Sequence, residues 1–234
     1  MMFRNRSEAG RRLAKALAHY KKDDPLVLAL PRGGVAVAVE IALALNAALD
    51  LILVRKLGVP WQPELAMGAV VDGEHPYVVR NEDILAQINL TGEEFREICE
   101  RELDEIERRR RLYLQGLPRE DVEGRTVIVV DDGIATGATT RAALLAVRNQ
   151  RPRWLVLAVP VAPASTLEEL SPETNDIVCL SSPEPFYSIG QFYEDFRQIS
   201  DKEVIAMLSK VSKAAQVPRT EDAPPAFPHG VPGR

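Results

Sequence analysis

TVIVVDDGIATGATT, residues Thr126–Thr140, is the stretch whose reading decides the fold. Val127 to Val130 form a short β-branched apolar run, the pattern of a buried strand. Asp131 and Asp132 stand at its carboxyl end, and Gly133, Thr136, Gly137, Thr139 and Thr140 lead into an alanine-rich helical stretch. In an open α/β sheet the carboxyl ends of the strands deliver their side chains to the ligand crevice. Glycines permit a sharp turn and a close approach of backbone N–H groups. The start of the following helix offers unpaired N–H groups and a partial positive charge, which suits a phosphate. Threonine hydroxyls can donate to the same oxygens. Adjacent carboxylates can accept from a pair of sugar hydroxyls or hold a hydrated Mg²⁺. No Gly-Lys-Ser/Thr follows, so the stretch is not a Walker loop.

Toward the amino terminus, Leu26–Leu30 reads as a strand that runs into Pro31-Arg32-Gly33-Gly34. A helix follows from Val35 to about Ala48, apolar nearly all round and therefore buried against a sheet. Leu51–Val54 reads as the next strand, which completes one βαβ unit. Arg32 brings a fixed cation with a planar fork for phosphate. Arg55 and Lys56 end that strand, as anion ligands or as a snorkelling surface pair. Toward the carboxyl terminus, Thr139–Asn149 reads as a helix, Trp154–Val161 as a strand, Ala164–Leu170 as a helix and Asp176–Leu180 as a strand. This alternation predicts an α/β fold with a doubly wound, mostly parallel sheet flanked by helices. On such a sheet Pro31–Gly34 emerges at the same edge as Asp131.

The remainder reads as a helical insertion, a hood and a tail around one domain, residues 1–213. The core lies in 26–56 and 126–180, and the insertion spans 57–125. Gly58–Pro63 is rich in turn signals. Ala66–Val71 and Tyr77–Arg80 read as strands joined by a hairpin at Asp72-Gly73, and Glu82–Ile88 as a short helix. Thr91-Gly92-Glu93-Glu94 is a capping box that opens a helix of about twenty residues. Arg108 to Arg111 close that helix, with Glu105–Arg109 as one supporting pair. The four arginines read as a solvated helix end rather than a site for a polyanion. Ser7–Lys21 reads as a first helix and Asp201–Lys213 as a last one. Residues 181–199 are rich in Pro, Phe, Tyr and Gly. Five of the 17 prolines fall after Val217, and residues 214–234 are expected to be disordered.

Composition narrows the class. The chain has 234 residues, 46% of them hydrophobic and 27% charged, as in ordinary globular proteins. A net charge of −5 argues against a general nucleic-acid surface. No apolar run is long enough to span a membrane. Cys99 and Cys179 read as reduced thiols of a cytoplasmic protein, not as a disulfide framework or zinc site.

The string from Thr126 to Thr140 resembles the phosphoribosyl pyrophosphate (PRPP) signature of the type I phosphoribosyltransferases: apolar strand, two acids, three variable residues, Thr-Gly and a further Thr. Arg32-Gly33-Gly34 resembles the pyrophosphate loop of the same family, where a cis peptide often precedes the basic residue. Here that bond is Pro31–Arg32. The likeness extends as a recognisable subgroup of unassigned substrate through Phe3–Gly10, Gly58–Val70 and Phe186–Phe196. It implies that Asp131 and Asp132 bind the ribose hydroxyls and hold Mg²⁺ through water. It implies that the turn Ala135, Thr136, Gly137, Ala138, Thr139 and Thr140 wraps the 5′-phosphate, with Gly133 at its entrance. Arg32, Gly33, Gly34, Arg55 and Lys56 would bind pyrophosphate, and Asp131, Asp132, Arg32 and Lys56 would carry catalysis. The implied partners are PRPP, pyrophosphate and a small base-like acceptor, and self-association stays open. Phe186, Tyr187, Phe192 and Tyr193 either stack on that acceptor from a hood at 181–199 or fill a small satellite core. Ala135 stands where 6-oxopurine members carry an aspartate, which argues against hypoxanthine or guanine as acceptor. The alternative on the same fold is a non-catalytic PRPP or nucleotide sensor.

Overall fold

The computed structural model describes residues 2–73, 76–115 and 119–215. At its centre lies a five-stranded sheet, built from β1 (Leu26–Ala29), β2 (Ala48–Leu51), β6 (Thr126–Val130), β7 (Trp154–Val161) and β8 (Asp176–Ser181). The strand order is β2-β1-β6-β7-β8, and every neighbouring pair is parallel. Alternate residues of the strands bury on opposite faces. Ala29, Ile128 and Val130 pack with α1 (Arg6–Ala16), α2 (Gly33–Leu45) and α7 (Asp201–Ala215). Leu28, Val127 and Val129 pack with the apolar side of α5 (Ala138–Asn149). A sheet covered on both faces accounts for strands such as TVIVV, in which no residue is polar after the first. The doubly wound parallel sheet expected from the sequence is present, with β6 at its centre and the end of β6 beside the end of β1.

The strand expected over Leu51–Val54 is not one strand. β2 ends at Leu51, and a new strand, β3 (Val54–Val59), enters a second, antiparallel sheet with β4 (Gln62–Val71) and β5 (Tyr77–Arg80). The change of partner is set at Leu53, whose N–H donates to Asp72 Oδ1 at 2.8 Å and whose carbonyl accepts from Asp72 N–H at 2.9 Å. Antiparallel pairing with β4 thereby replaces parallel pairing with β1. Arg55 and Lys56 therefore do not end a core strand; they lie within the hairpin sheet. The turn-rich stretch Gly58–Pro63 contracts to a tight turn between β3 and β4, and the hairpin expected after Val71 pairs Val71 with Tyr77.

Helix boundaries follow their local signals. Asn5 caps α1 through Glu8 N–H at 3.0 Å. That helix stops at Ala16, and residues 18–23 continue as a 3₁₀ turn rather than the single helix to Lys21. Asn46 adopts the left-handed conformation and stops α2 at Leu45, short of Ala48. The short α3 spans Glu82–Leu85. The capping box of Thr91 and Glu94 opens α4 (Gly92–Leu114), and Glu105 binds Arg109 at 2.7 Å. Arg110 does not belong to a solvated helix end: it is 7% exposed and turned inward. α6 spans Ala164–Leu170. α7 runs on to Ala215, two residues into the stretch expected to be disordered, and the rest of that stretch lies outside the described residues. Among the described residues no helix is long and apolar enough to cross a membrane.

Candidate active site

The crevice lies where β1 and β6 end. Val130 and Ala29 are register partners, so the chain after each strand leaves the sheet side by side. Leu30 N–H still donates to Val130 O at 2.9 Å, which ties the Pro31–Gly34 turn to the Asp131-Asp132 pair. The Pro31–Arg32 peptide is cis. Gly33 is required by space: a Cβ there would collide with Asp132 Oδ2. At Gly34 a Cβ would meet Val130 O at 2.7 Å. Gly34 thus allows the close approach of two backbones, and Gly33 leaves the room that the Asp132 carboxylate occupies. Gly33→Ala is accordingly expected to displace the Asp132 carboxylate and to weaken anionic-ligand binding by about tenfold or more, measured by calorimetry with inorganic pyrophosphate or PRPP. Unchanged affinity would mean that Asp132 Oδ2 has no part in the site.

The acid pair is asymmetric. Asp132 is 8% exposed and its Oδ2 accepts from Arg6 Nε at 2.6 Å. Its backbone N–H donates to Asp131 Oδ1 at 2.8 Å, and its carbonyl accepts from the Tyr193 hydroxyl at 2.6 Å. Asp131 makes no salt bridge among the described residues. Asp131 is only half-buried by solvent exposure, yet loss of hydration, and then the neighbouring Asp132 charge, push its carboxyl above the usual carboxylate range. An acid so placed at a strand end is costly to keep, and the nearby Arg6 charge offsets that cost only in part.

After the acids, Gly133 has φ 156° and Gly137 φ 74°, the second in the left-handed region. Gly137 precedes Ala138, the first residue of α5, and no acidic residue sits in the first turn of that helix. The positive end of this 12-residue helix therefore has no carboxylate of its own first turn to balance it. Thr136, Ala138 and Thr139 are exposed, Thr140 is buried, and Thr166 Oγ1 donates to Ala135 O at 2.9 Å to brace the turn from behind. Lys56, Gly68 and Arg80 of the second sheet share a cavity of about 690 Å³ with Thr136, Gly137 and Thr139.

Not every expected residue converges. Arg55 is held by Glu102 at 2.7 Å and faces α4. Lys56 stands by the Thr136–Thr139 turn, not by the Pro31–Gly34 turn. Arg32 pairs with Asp201 at 3.5 Å, half exposed. Phe186, Phe192 and Tyr193 pack in a small core with Phe3 and Val161; of the four aromatic candidates only Tyr187, 81% exposed, presents its ring to solvent.

The phosphoribosyl transferase domain model matches residues 4–197. The chain belongs to this family. Two Mycobacterium tuberculosis proteins, both named "Putative phosphoribosyl transferase", are each 42% identical over 212 residues. The match covers 91% of this chain and 47% of theirs, so the chain spans about half the length of these curated relatives. The crystal structure of TT1426 from Thermus thermophilus is 40% identical, superposes with a TM-score of 0.77 and is matched over 99% of its length and 90% of this chain. Against this phosphoribosyl transferase frame the sequence reading missed Arg6 and Tyr193 as partners of Asp132. The stretches FRNRSEAG and FYSIGQFYEDF marked both segments, but nothing local in either points to an aspartate 126 residues away from Arg6.

Proposed function

We propose that this chain transfers the 5-phosphoribosyl group from Mg²⁺·PRPP to a nitrogen of a base-like acceptor. The bond from sugar C1 to pyrophosphate breaks, a C1–N bond forms, and the acceptor gives up a proton. The observation that carries the reading is the Asp131 carboxylate, without a cation of its own, held at a strand end beside Asp132 and next to an α5 start that lacks an acidic residue. Sugar hydroxyls donating to the acids, with a phosphate on the turn, satisfy both halves of this arrangement.

Each residue then has a role. Asp131, with the open oxygen of Asp132, accepts from the ribose hydroxyls and favours positive charge developing on the ring. The turn from Ala135 to Thr140, with Lys56 beside it, anchors the 5′-phosphate remotely, so that its binding energy aligns the reacting carbon. Arg32, Gly33 and Gly34 receive the departing pyrophosphate. The donor set fits a hard cation: two adjacent carboxylates supply oxygens only, and water and substrate oxygens would have to complete the shell. Asp131 and Asp132 would hold Mg²⁺, which when bound neutralises pyrophosphate charge. Among the described residues no cluster of three or more His, Cys, Asp or Glu offers a metal site of its own.

The test is pyrophosphate release with Mg²⁺·PRPP and a panel of adenine, uracil, hypoxanthine, guanine and simple amines. Release is expected to require both Mg²⁺ and an acceptor. Hypoxanthine and guanine are expected to be poor acceptors, because Ala135 has no proton acceptor where general-base help is worth about 10²–10⁴-fold. Tight PRPP binding with no turnover on any acceptor would favour a sensor, and no PRPP binding at all would overturn the reading.

A further inference from the structure

The structure assigns a positioning role to Arg6, a residue outside every motif of the site: we propose that Arg6 fixes Asp132 so that one defined oxygen, Oδ1, is offered to the sugar. The inference rests on the phosphoribosyl-transfer reading. Its basis is the way Asp132 is held. The Tyr193 hydroxyl holds its carbonyl at 2.6 Å, Asp131 Oδ1 holds its N–H at 2.8 Å, and Arg6 Nε holds Oδ2 at 2.6 Å. Gly33 leaves the room that Oδ2 occupies, since a Cβ there would collide with it. Gly33 and Arg6 thus define the same oxygen. No arginine, lysine, hydroxyl or backbone N–H among the described residues donates to Oδ1; the remaining neighbour of the Asp132 carboxyl is the Asp131 carboxyl, within side-chain hydrogen-bond range, which a sugar hydroxyl would share or displace.

Arg6 is itself held for this purpose. Its guanidinium lies 3.9 Å from the centre of the Phe196 ring, and Nη1 donates to Arg197 O at 2.9 Å. Its side chain is 11% exposed, as is that of Asp132. The segment carrying Arg6 is closed onto the aromatic segment without it. Phe3 N–H donates to Phe192 O at 2.8 Å, Glu194 N–H to Phe3 O at 2.8 Å, and Asp195 N–H to Arg4 O at 2.9 Å. Because three backbone bonds already fasten this clasp, the reach of Arg6 to Asp132 is an addition to it, directed at the acid pair. A planar fork that both stacks and donates is specific to arginine; lysine keeps only the charge. Two consequences follow for recognition. The guanidinium cancels one of two adjacent negative charges, and a cation cannot chelate both oxygens of Asp132 while Arg6 is in place.

The test is binding of Mg²⁺·PRPP by calorimetry to wild type, Arg6→Ala and Arg6→Lys, with melting curves for each. Arg6→Ala is expected to weaken binding by about 10–100-fold, the worth of a charge-assisted hydrogen bond. Millimolar guanidinium ion is expected to restore part of the affinity to Arg6→Ala, a rescue that a purely structural role would not give. Should the alanine variant lose its melting transition, Arg6→Lys carries the test, with a loss of about tenfold. Unchanged affinity in every folded Arg6 variant overturns the assignment, and so does tighter binding, which would make Arg6 a blocking group. Wild type that fails to bind Mg²⁺·PRPP overturns the phosphoribosyl reading and this assignment with it, whereas wild-type binding with insensitive Arg6 variants overturns this assignment alone.

Discussion

Asp131→Asn is expected to make the ligand-free protein more stable while lowering its affinity for Mg²⁺·PRPP by about 100-fold. The acid is raised above its ordinary value of 3.8 by burial first and by the Asp132 charge second, and no cation is paired with it among the described residues. Asparagine removes the charge and keeps an oxygen to accept from Asp132 N–H. The sign follows from linkage. A carboxyl whose folded pKa lies above its unfolded value costs stability as pH rises from the unfolded value through the folded one. Below about 3.8 Asp131 is neutral in both states, so variant and wild type should melt together apart from effects of the amide itself. The gap should open as pH rises and reach about 2–4 °C at neutral pH if the gain is near 1 kcal/mol. Melting curves from acid to neutral pH check it; a lower melting temperature in the variant at neutral pH would show that Asp131 is a structural acid. Asp132→Asn is a different case: it breaks the 2.6 Å pair with Arg6 in a nearly buried setting, so it should cost stability as well as affinity.

Arg110→Met is expected to destabilise the fold by about 3–5 kcal/mol. Arg110 Nη2 donates to Asp50 Oδ2 at 2.9 Å and Nη1 to Asp72 Oδ2 at 3.0 Å, with Leu51 O at 3.3 Å. Those acids are 5% exposed each. They fasten β2, the end of β4, and residues 119–120: Arg119 reaches Asp72 at 2.6 Å, and Glu120 N–H reaches Asp50 at 3.0 Å. The cluster is the joint between the central sheet, the hairpin sheet and α4. Methionine fills the space but leaves Asp50 without its cation and Asp72 with Arg119 alone. Burial already pushes the Asp72 carboxyl up, against the pull of Arg110 and Arg119. The loss should therefore be greatest at neutral pH and shrink on acidification, as Asp72, whose carboxyl is raised by burial, gains a proton and no longer needs a counter-charge. Urea unfolding at two pH values measures it. A loss under about 1 kcal/mol at neutral pH would mean that the joint is held by packing, not by charge.

The parts of this molecule that were legible in sequence are those whose causes are local. TVIVV can only be comfortable as a strand covered on both faces, and it lies in the middle of the sheet. Thr91 and Glu94 close a capping box within four residues, and α4 begins there. Gly33, Gly34 and Gly137 announced backbone that must turn or approach closely, and each is found where a Cβ would collide or where φ is positive. The adjacency of the Pro31–Gly34 turn to the acid pair follows from parallel pairing of two strands of like pattern.

Other features depend on partners far along the chain, and no local pattern encodes them. Arg108, Arg109, Arg110 and Arg111 look alike in sequence; only the approach of Asp50 and Asp72 to one face of α4 decides that Arg110 is buried. Leu51–Val54 has the composition of one strand, yet bonds to Asp72 divide it between two sheets. That division moved Arg55 to Glu102 and Lys56 to the Thr136–Thr139 turn. Arg6 gives no sign of its contact with Asp132 until Phe3 and Arg4 pair with the segment around Tyr193 and bring its guanidinium there. By itself the sequence determined four of the five central strands, the helix starts to within a residue or two and the identity of the acids, because each is a matter of periodicity, capping or steric need within a few residues. Tertiary structure alone decided which charges are neutralised, because a buried charge takes the partner that the packing of distant segments brings to it.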